Sequence, residues 1–156
     1  MENDKIFLLK TFEIASDGIR NGGGPFGAVI VKDGKIISEA FNRVVLNNDP
    51  TAHAEILSIR EASFVLKTHD LKECTLYTSC EPCPMCLGAV YWAHLDKMYY
   101  GNSKTDAKNI GFDDSFIYDE IDLRPENRRV KTTQLLPDEA IVAFQAWTLA
   151  TDKVEY

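Results

Sequence analysis

Apolar residues recur at helical spacing over residues 4–20 and then change to the pattern of strands. The helical stripe predicts an amphipathic helix, which the glycines between Asn21 and Pro25 end. Residues 26–32 and 35–42 read as two strands joined by the two-residue turn Asp33-Gly34. The chain therefore begins with a helix and a β-hairpin. The apolar stripe of the helix consists of Leu8, Phe12, Ala15 and Ile19.

Predicted helices and strands alternate along the rest of the chain. Asp49-Pro50-Thr51 is a start signal for a helix over 52–66, and Pro82 and Pro84 fit only the first turn of a helix over 83–93. Such alternation predicts a partly parallel sheet covered by helices on both faces. The other predicted strands are 74–78, 97–100 and 130–136, and the other predicted helices are 105–109 and 137–151.

Length and composition indicate one globular domain spanning 1–156. The chain has 156 residues, of which 45% are hydrophobic and 26% charged, an ordinary balance for a folded protein. Its longest clean apolar run, Phe26 to Val31, is too short to cross a membrane. The first five residues lack the basic and apolar pattern of a secretory signal. We therefore expect a cytoplasmic protein with no membrane partner.

The charge balance argues against a nucleic-acid partner. The chain carries 17 basic and 24 acidic residues, a net charge of −7. Affinity for a phosphate backbone comes mainly from lysine and arginine, and this chain has an excess of acids. We therefore expect a small molecule, and not DNA or RNA, as the substrate.

Three residues have the spacing and chemistry of a metal site. Cys83 and Cys86 are three residues apart at the start of a predicted helix, so their sulfurs share one face. The helix N-terminus favours the thiolate form that binds metals. His53, at the start of another helix, would add a nitrogen. One nitrogen and two sulfurs suit tetrahedral zinc and leave a fourth position for water.

Glu55 is the candidate acid and base beside this site. Zinc lowers the pKa of water to near 7, and a nearby carboxylate could accept that water's proton and pass it to a substrate. The spacing raises one difficulty. Residues two apart on an ideal helix point about 200° apart. His53 and Glu55 can therefore serve one site only if the helix start is irregular or the glutamate reaches around.

The cysteines also permit a purely structural metal site. Cys80, Cys83 and Cys86 form two overlapping C-x-x-C pairs, which with His53 or Cys74 could hold a closed zinc or an iron–sulfur cluster. That alternative gives Glu55 no function. We therefore interpret Cys80 and Cys74 as buried packing residues and not as ligands.

The two motifs together resemble those of the cytidine and deoxycytidylate deaminase superfamily. His53-Ala54-Glu55 and Pro82-Cys83-Pro84-Met85-Cys86 match its His-x-Glu and Pro-Cys-x-x-Cys signatures. The resemblance implies a three-layer α/β/α fold with a five-stranded mixed sheet. It also implies one zinc per chain, held by His53, Cys83 and Cys86, with Glu55 catalytic.

Within the superfamily the chain is most similar to the small bacterial guanine deaminases. The most telling segment is 111–118, and the resemblance extends over nearly the whole chain. It implies hydrolysis of guanine to xanthine and ammonia, with Asp114 assisting departure of the amine. It also implies a homodimer in which residues 137–156 contact or swap with the partner and the tail closes a site. The substrate-binding residues it implies are Phe26, Asn42, Ala54, Trp92 and Tyr156.

Some of these residues also have ordinary explanations. Asp113-Asp114 in a loop is usually solvated surface, and Phe26 could be a core aromatic at the start of a strand. Alternatively Phe26 could stack on a base, and the Asn42 amide could bond to its edge. Two other functions stay open, namely deamination of another base or nucleoside of the cytosine type, and a structural zinc protein without catalysis.

Overall fold

The computed structural model describes residues 2–155, which divide into two compact units. The first ends at Asp114 and the second begins at Ser115. The prediction of a single domain over 1–156 stays a prediction.

A four-stranded mixed sheet forms the centre of the first unit. Its strands are β1 (Gly27–Lys32), β2 (Lys35–Phe41), β3 (Cys74–Cys80) and β4 (Lys97–Asn102), in the order β2-β1-β3-β4. β1 pairs antiparallel with β2 and β3, and β3 pairs parallel with β4. The partly parallel sheet and the hairpin are therefore confirmed. Asp33 and Gly34 both have positive φ, as a tight two-residue turn requires.

Five helices of the first unit connect and flank these strands. The amphipathic helix predicted at the start of the chain is α1, and the helices that begin at the two motifs are α3 and α4. The short α2 was not predicted. The helices are α1 (Glu2–Arg20), α2 (Val44–Asn47), α3 (Ala54–Leu66), α4 (Pro84–Trp92) and α5 (Lys104–Asn109).

Hydrophobic clusters lie on both faces of the sheet, as a three-layer fold requires. On one face, Ile30 and Leu76 are fully buried and pack with residues of α3 and α4, including Ala54 and Val90. On the other face, Val29 packs with residues of α1. Side chains alternate along each strand, so one strand supplies both clusters. The α/β/α prediction is confirmed.

The predicted fifth strand, Val130–Leu136, does not form, and the sheet of residues 2–155 has four strands. This prediction was wrong because residues 131–134 are all polar, so the segment has no alternating apolar face to bury. Every residue from 130 to 136 is exposed. The second unit instead contains α6 (Ser115–Asp122), a short 3-10 turn at Pro125–Asn127 and α7 (Pro137–Leu149).

Within residues 2–155, no helix combines the length and the apolar character that crossing a membrane requires.

Candidate metal and catalytic site

His53 lies immediately before α3, in extended backbone conformation with φ −69° and ψ 154°. The loop that presents it is held by Asp49, whose Oδ1 accepts hydrogen bonds from Thr51 N at 2.8 Å and Thr51 Oγ1 at 2.7 Å. Arg43 N donates to Ala52 O at 2.9 Å and ties the loop to the end of β2. The imidazole therefore projects from an anchored loop and not from the helix itself.

Cys83 and Cys86 occupy the start of α4. Cys83 precedes the helix in extended conformation, and Pro84 takes the first helical position, where its missing N–H is not needed. Cys86 lies in the first turn and is fully buried. The helix thus begins one residue later than predicted. Its start nevertheless aims both sulfurs at the His53 loop.

His53, Cys83 and Cys86 form one compact group of metal-binding side chains. His53 Nδ1 lies 3.6 Å from Cys83 Sγ and 3.5 Å from Cys86 Sγ. Zinc bonds of about 2.3 Å to sulfur and 2.0–2.1 Å to nitrogen, at tetrahedral angles, place those atoms about 3.5 Å apart. The three ligand atoms all lie within 4.8 Å of one another. The donor set and its spacing therefore fit zinc.

The two thiols have opposite electrostatic environments. A hydrogen bond from Cys86 and the neighbouring His53 lower the pKa of Cys83 to about 4. The same hydrogen bond and burial raise the pKa of Cys86. The contact with Cys83 raises the pKa of His53 against the opposing effect of burial. The surroundings of Cys83 therefore favour its thiolate, the form that binds a cation.

Glu55 lies in the first turn of α3 and is buried, with 6% of its surface exposed. Its Oε1 accepts a hydrogen bond from Thr78 Oγ1 at 3.2 Å, and its Oε2 lies 3.5 Å from Cys86 Sγ. Burial is the main cause that raises the pKa of this carboxyl. A buried carboxyl with a raised pKa, next to a metal-binding group, is suited to accepting and returning a proton.

Asp114 follows α5 in a loop and is half-buried. Burial raises its pKa, and the nearby Cys83 thiolate raises it further. The strand–helix junction near this loop is tied to the cysteine segment by Glu81. Glu81 Oε2 accepts from Lys104 N at 3.0 Å, and Glu81 N donates to Asn102 O at 2.8 Å. Asp114 is thus close enough to the metal-binding group for the charge of Cys83 to affect its pKa.

Asn42 and Phe26 meet at the ends of their strands. Asn42 N donates to Phe26 O at 3.0 Å, and Asn42 Oδ1 accepts from Val44 N at 3.2 Å. The Asn42 amide nitrogen donates no hydrogen bond within residues 2–155, so it is available to an acceptor. Phe26 meets the ring of Phe112 edge to face at 4.9 Å between centroids. Ala54 is fully buried at the first position of α3, between His53 and Glu55.

Trp92, predicted to bind substrate, and Cys80, predicted to be a packing residue, both lie away from the metal-binding group. Trp92 ends α4, the opposite end from Cys83, and is 67% exposed beside Phe64. The structure therefore does not bring Trp92 to the group within its own chain. Cys80 is buried outside the group, and burial raises its pKa to about 11. Tyr156 lies outside the described residues.

Two residues near the site were not predicted from the sequence. Phe112 contacts Phe26, and Thr78 binds Glu55. The alternation of side chains along β3 could have pointed to Thr78, because every second residue of this strand faces α3 and α4. A threonine among apolar neighbours on that face must find a buried hydrogen-bond partner.

A family model described as the cytidine and deoxycytidylate deaminase zinc-binding region matches residues 1–102. A guanine deaminase of Bacillus subtilis is 52% identical over 155 residues, 99% of both chains. The crystal structure of guanine deaminase from Bacillus subtilis superposes with a TM-score of 0.95 at 52% identity, covering 97% of this chain and 98% of that one.

Deaminases of another substrate are also similar, over less of the chain. A tRNA-specific adenosine deaminase of Aquifex aeolicus is 43% identical over 126 residues, 80% of each chain. The similarity to the Bacillus subtilis protein also includes the C-terminal segment, which the family model does not reach. The sequence motifs, the fold and the full-length similarity thus agree, and the chain belongs to the cytidine and deoxycytidylate deaminase superfamily, among the bacterial guanine deaminases.

Proposed function

We propose that this protein hydrolyses guanine to xanthine and ammonia. The observation that carries the chemistry is the buried Glu55 carboxyl within 3.5 Å of a thiol of the His53–Cys83–Cys86 group. The choice of guanine is supported by the similarity to a guanine deaminase over 99% of the chain. In the reaction, water adds to C2 of guanine and the exocyclic amine leaves as ammonia, so atoms and charge balance.

His53, Cys83 and Cys86 would hold one zinc ion per chain. Their spacing fits tetrahedral zinc, and three protein ligands leave a fourth position open. A zinc ion so held lowers the pKa of water to about 7 and makes it a nucleophile at neutral pH. The chain's own task is then to orient the base and to move protons.

Glu55 would carry the protons between the water and the base. It accepts a proton from the attacking water and delivers it to a ring nitrogen of guanine. Its burial supports this role, since it keeps the carboxyl away from bulk water and raises its pKa, which makes the carboxylate a stronger base. A carboxylate with an unshifted pKa near 4.3 would be a weaker base and would accept the proton of water less readily.

Asp114 would assist departure of the amine. The exocyclic amine of guanine must gain a proton before it leaves. A carboxylate beside it can accept a hydrogen bond from the amine and pass to it the second proton of the added water. Two observations support the assignment: Asp114 is half-buried, and burial together with the charge of Cys83 raises its pKa. Asn42 would bond the edge of the base, while Phe26 and Ala54 would contact its ring.

We also propose a homodimer in the cytoplasm. No residue from 115 to 155 is buried, although α7 carries Phe144 and Trp147. A segment this apolar, with no core of its own, supports contact of residues 137–156 with a partner subunit. Trp92 and Tyr156 would then contribute to substrate binding from across that interface. The four free cysteines are consistent with a reducing compartment.

Ammonia release from a panel of bases tests the proposed reaction. Purified protein is incubated with guanine, cytosine, cytidine, adenine and deoxycytidylate. We expect ammonia from guanine at a kcat/KM far above that of the others, with xanthine as the second product. Preferred turnover of cytosine or cytidine contradicts the choice of base, and no turnover of any of them contradicts catalysis.

Light scattering tests the proposed homodimer. In the same buffer it should give about twice the chain mass of 17.6 kDa.

A further inference from the structure

Thr78 is a fully buried polar residue on the face of β3 that packs against α3 and α4. Leu76, two residues earlier on the same face, belongs to the hydrophobic cluster of that layer. A hydroxyl among such neighbours destabilises the fold if it makes no hydrogen bond. Thr78 donates its hydroxyl to Glu55 Oε1 at 3.2 Å. Its place in the core thus depends on the glutamate.

The two oxygens of Glu55 have different neighbours. Oε1 accepts the Thr78 hydroxyl, whereas Oε2 lies 3.5 Å from Cys86 Sγ, on the side of the metal-binding group. A glutamate side chain has three rotatable bonds, and one contact at Oε1 fixes where Oε2 points. Once Cys86 binds a cation as a thiolate it has no proton to donate. The hydroxyl of Thr78 then remains the side-chain donor that holds Glu55 among residues 2–155.

Thr78 is a rigid support for this contact. It lies in a central strand, paired with Ala28 on one side and Tyr100 on the other. Its β-branched side chain has restricted χ1 freedom, so the strand fixes the direction of the hydroxyl. The helix turn that carries Glu55 is anchored to the same sheet, since Ser58 Oγ donates to Ala28 O at 3.0 Å. Both ends of the Thr78–Glu55 contact are therefore held in place.

We propose that Thr78 is a positioning residue for deamination: its hydroxyl fixes the Glu55 carboxyl so that one oxygen faces the reacting water and base. This inference takes its substrate, guanine, from the proposed function. The contact between Thr78 and Glu55 does not depend on that proposal. The Thr78 hydroxyl donates to Glu55, so Thr78 acts on the reaction through that carboxyl. Misplacing a catalytic group by about 1 Å can cost about 100-fold in rate.

Thr78→Val and Thr78→Ser test the role in the zinc-loaded protein. Valine keeps the shape and removes the hydroxyl, and serine keeps the hydroxyl. We expect Thr78→Val to lower kcat for guanine about 10- to 100-fold, with KM within about threefold and zinc content unchanged. We expect Thr78→Ser to recover most of kcat. Thr11→Val is the matched control, because Thr11 is equally buried but donates to Leu8 O within α1.

Thermal unfolding gives a readout that needs no substrate. Thr78→Val should lower Tm in the parent protein and lower it less in a Glu55→Ala background, where the hydroxyl has already lost its acceptor. An equal drop in both backgrounds overturns the contact. Unchanged kcat in Thr78→Val, or equal losses in the valine and serine variants, overturns the positioning role. If the parent protein does not turn over guanine, the proposed function is contradicted instead. The Tm changes of Thr78→Val in the two backgrounds then still test the contact between Thr78 and Glu55.

Discussion

His53 Nδ1 and Glu55 Oε2 both lie 3.5 Å from the same atom, Cys86 Sγ. The two residues are separated only by Ala54, and they reach one sulfur because His53 is extended while Glu55 lies in the first helical turn. The proposed metal ligand and the proposed proton carrier therefore come from one short segment. Substitutions can separate the two tasks, since each uses a different side chain.

Glu55→Gln tests proton transfer alone. Glutamine has the size of glutamate and still accepts from Thr78, but it cannot carry a proton. We expect normal zinc content and a loss of about 100-fold or more in kcat for guanine, measured by xanthine formation. Glu61→Gln, an exposed residue of the same helix, should leave kcat unchanged. Substantial activity in Glu55→Gln would mean that another group moves the proton.

Zinc content separates the ligand cysteines from the packing cysteine. Cys83→Ser and Cys86→Ser each remove one of three ligands, so we expect both purified variants to lose most of their zinc and their activity. Cys80→Ala removes a buried thiol outside the group, so it should keep about one zinc per chain and lose some stability. Metal analysis with dialysis against a chelator measures this. Zinc loss in Cys80→Ala would favour the closed structural site.

Asp114→Asn tests the second carboxyl. We expect kcat/KM for guanine to fall about 10-fold or more while Tm stays nearly unchanged, because the side chain is half-buried and its size is kept. Asp113→Asn is the control: Asp113 forms an ion pair with Lys108 at 3.0 Å and should have little effect on kcat/KM. Equal kcat/KM values for Asp114→Asn and the parent would mean that Asp114 is an ordinary loop residue with no part in the reaction.

The pH dependence of the same variants gives a further check on Asp114. Burial raises the pKa of this carboxyl, so it loses its charge on acidification at a higher pH than an ordinary aspartate, whose pKa is about 3.9. If the carboxylate is the active form, activity falls as the pH falls through that raised pKa. We expect the acid side of the pH–rate profile to be shallower in Asp114→Asn than in Asp113→Asn. Identical profiles would show that Asp114 does not titrate in the reaction.

The metal-binding residues could be predicted from the sequence because their signal is local. Cys83 and Cys86 are three apart at a helix start, and His53 begins another helix. The turn at Asp33-Gly34 is equally local, since both residues adopt positive φ there. In each case a few adjacent residues determine the geometry. These local signals point to the three residues whose ligand atoms the structure brings within 4.8 Å of one another.

Features that depend on distant contacts could not be predicted in the same way. Ideal helical geometry predicted that the side chains of His53 and Glu55 point in different directions. The prediction missed that His53 is extended and lies in a loop that Asp49 holds. The contact of Thr78 with Glu55 joins a strand and a helix, which no spacing reveals. The predicted strand Val130–Leu136 failed for lack of an apolar face. Propensity alone does not form a strand without a surface to cover.

A pair of glycines gives opposite predictions for stability. A Cβ at Gly27, at the start of β1, would lie 2.4 Å from Thr11 O and 2.8 Å from Ala15 N, both backbone atoms of α1. Gly27→Ala must therefore push α1 off the sheet, and we expect a loss of about 1–3 kcal/mol in the free energy of unfolding. A Cβ at Gly88, inside α4, meets nothing within 4 Å. Alanine there should stabilise the helix by about 0.5–1 kcal/mol. Denaturant unfolding measures both, and a stable Gly27→Ala variant would contradict the close packing of α1 on β1.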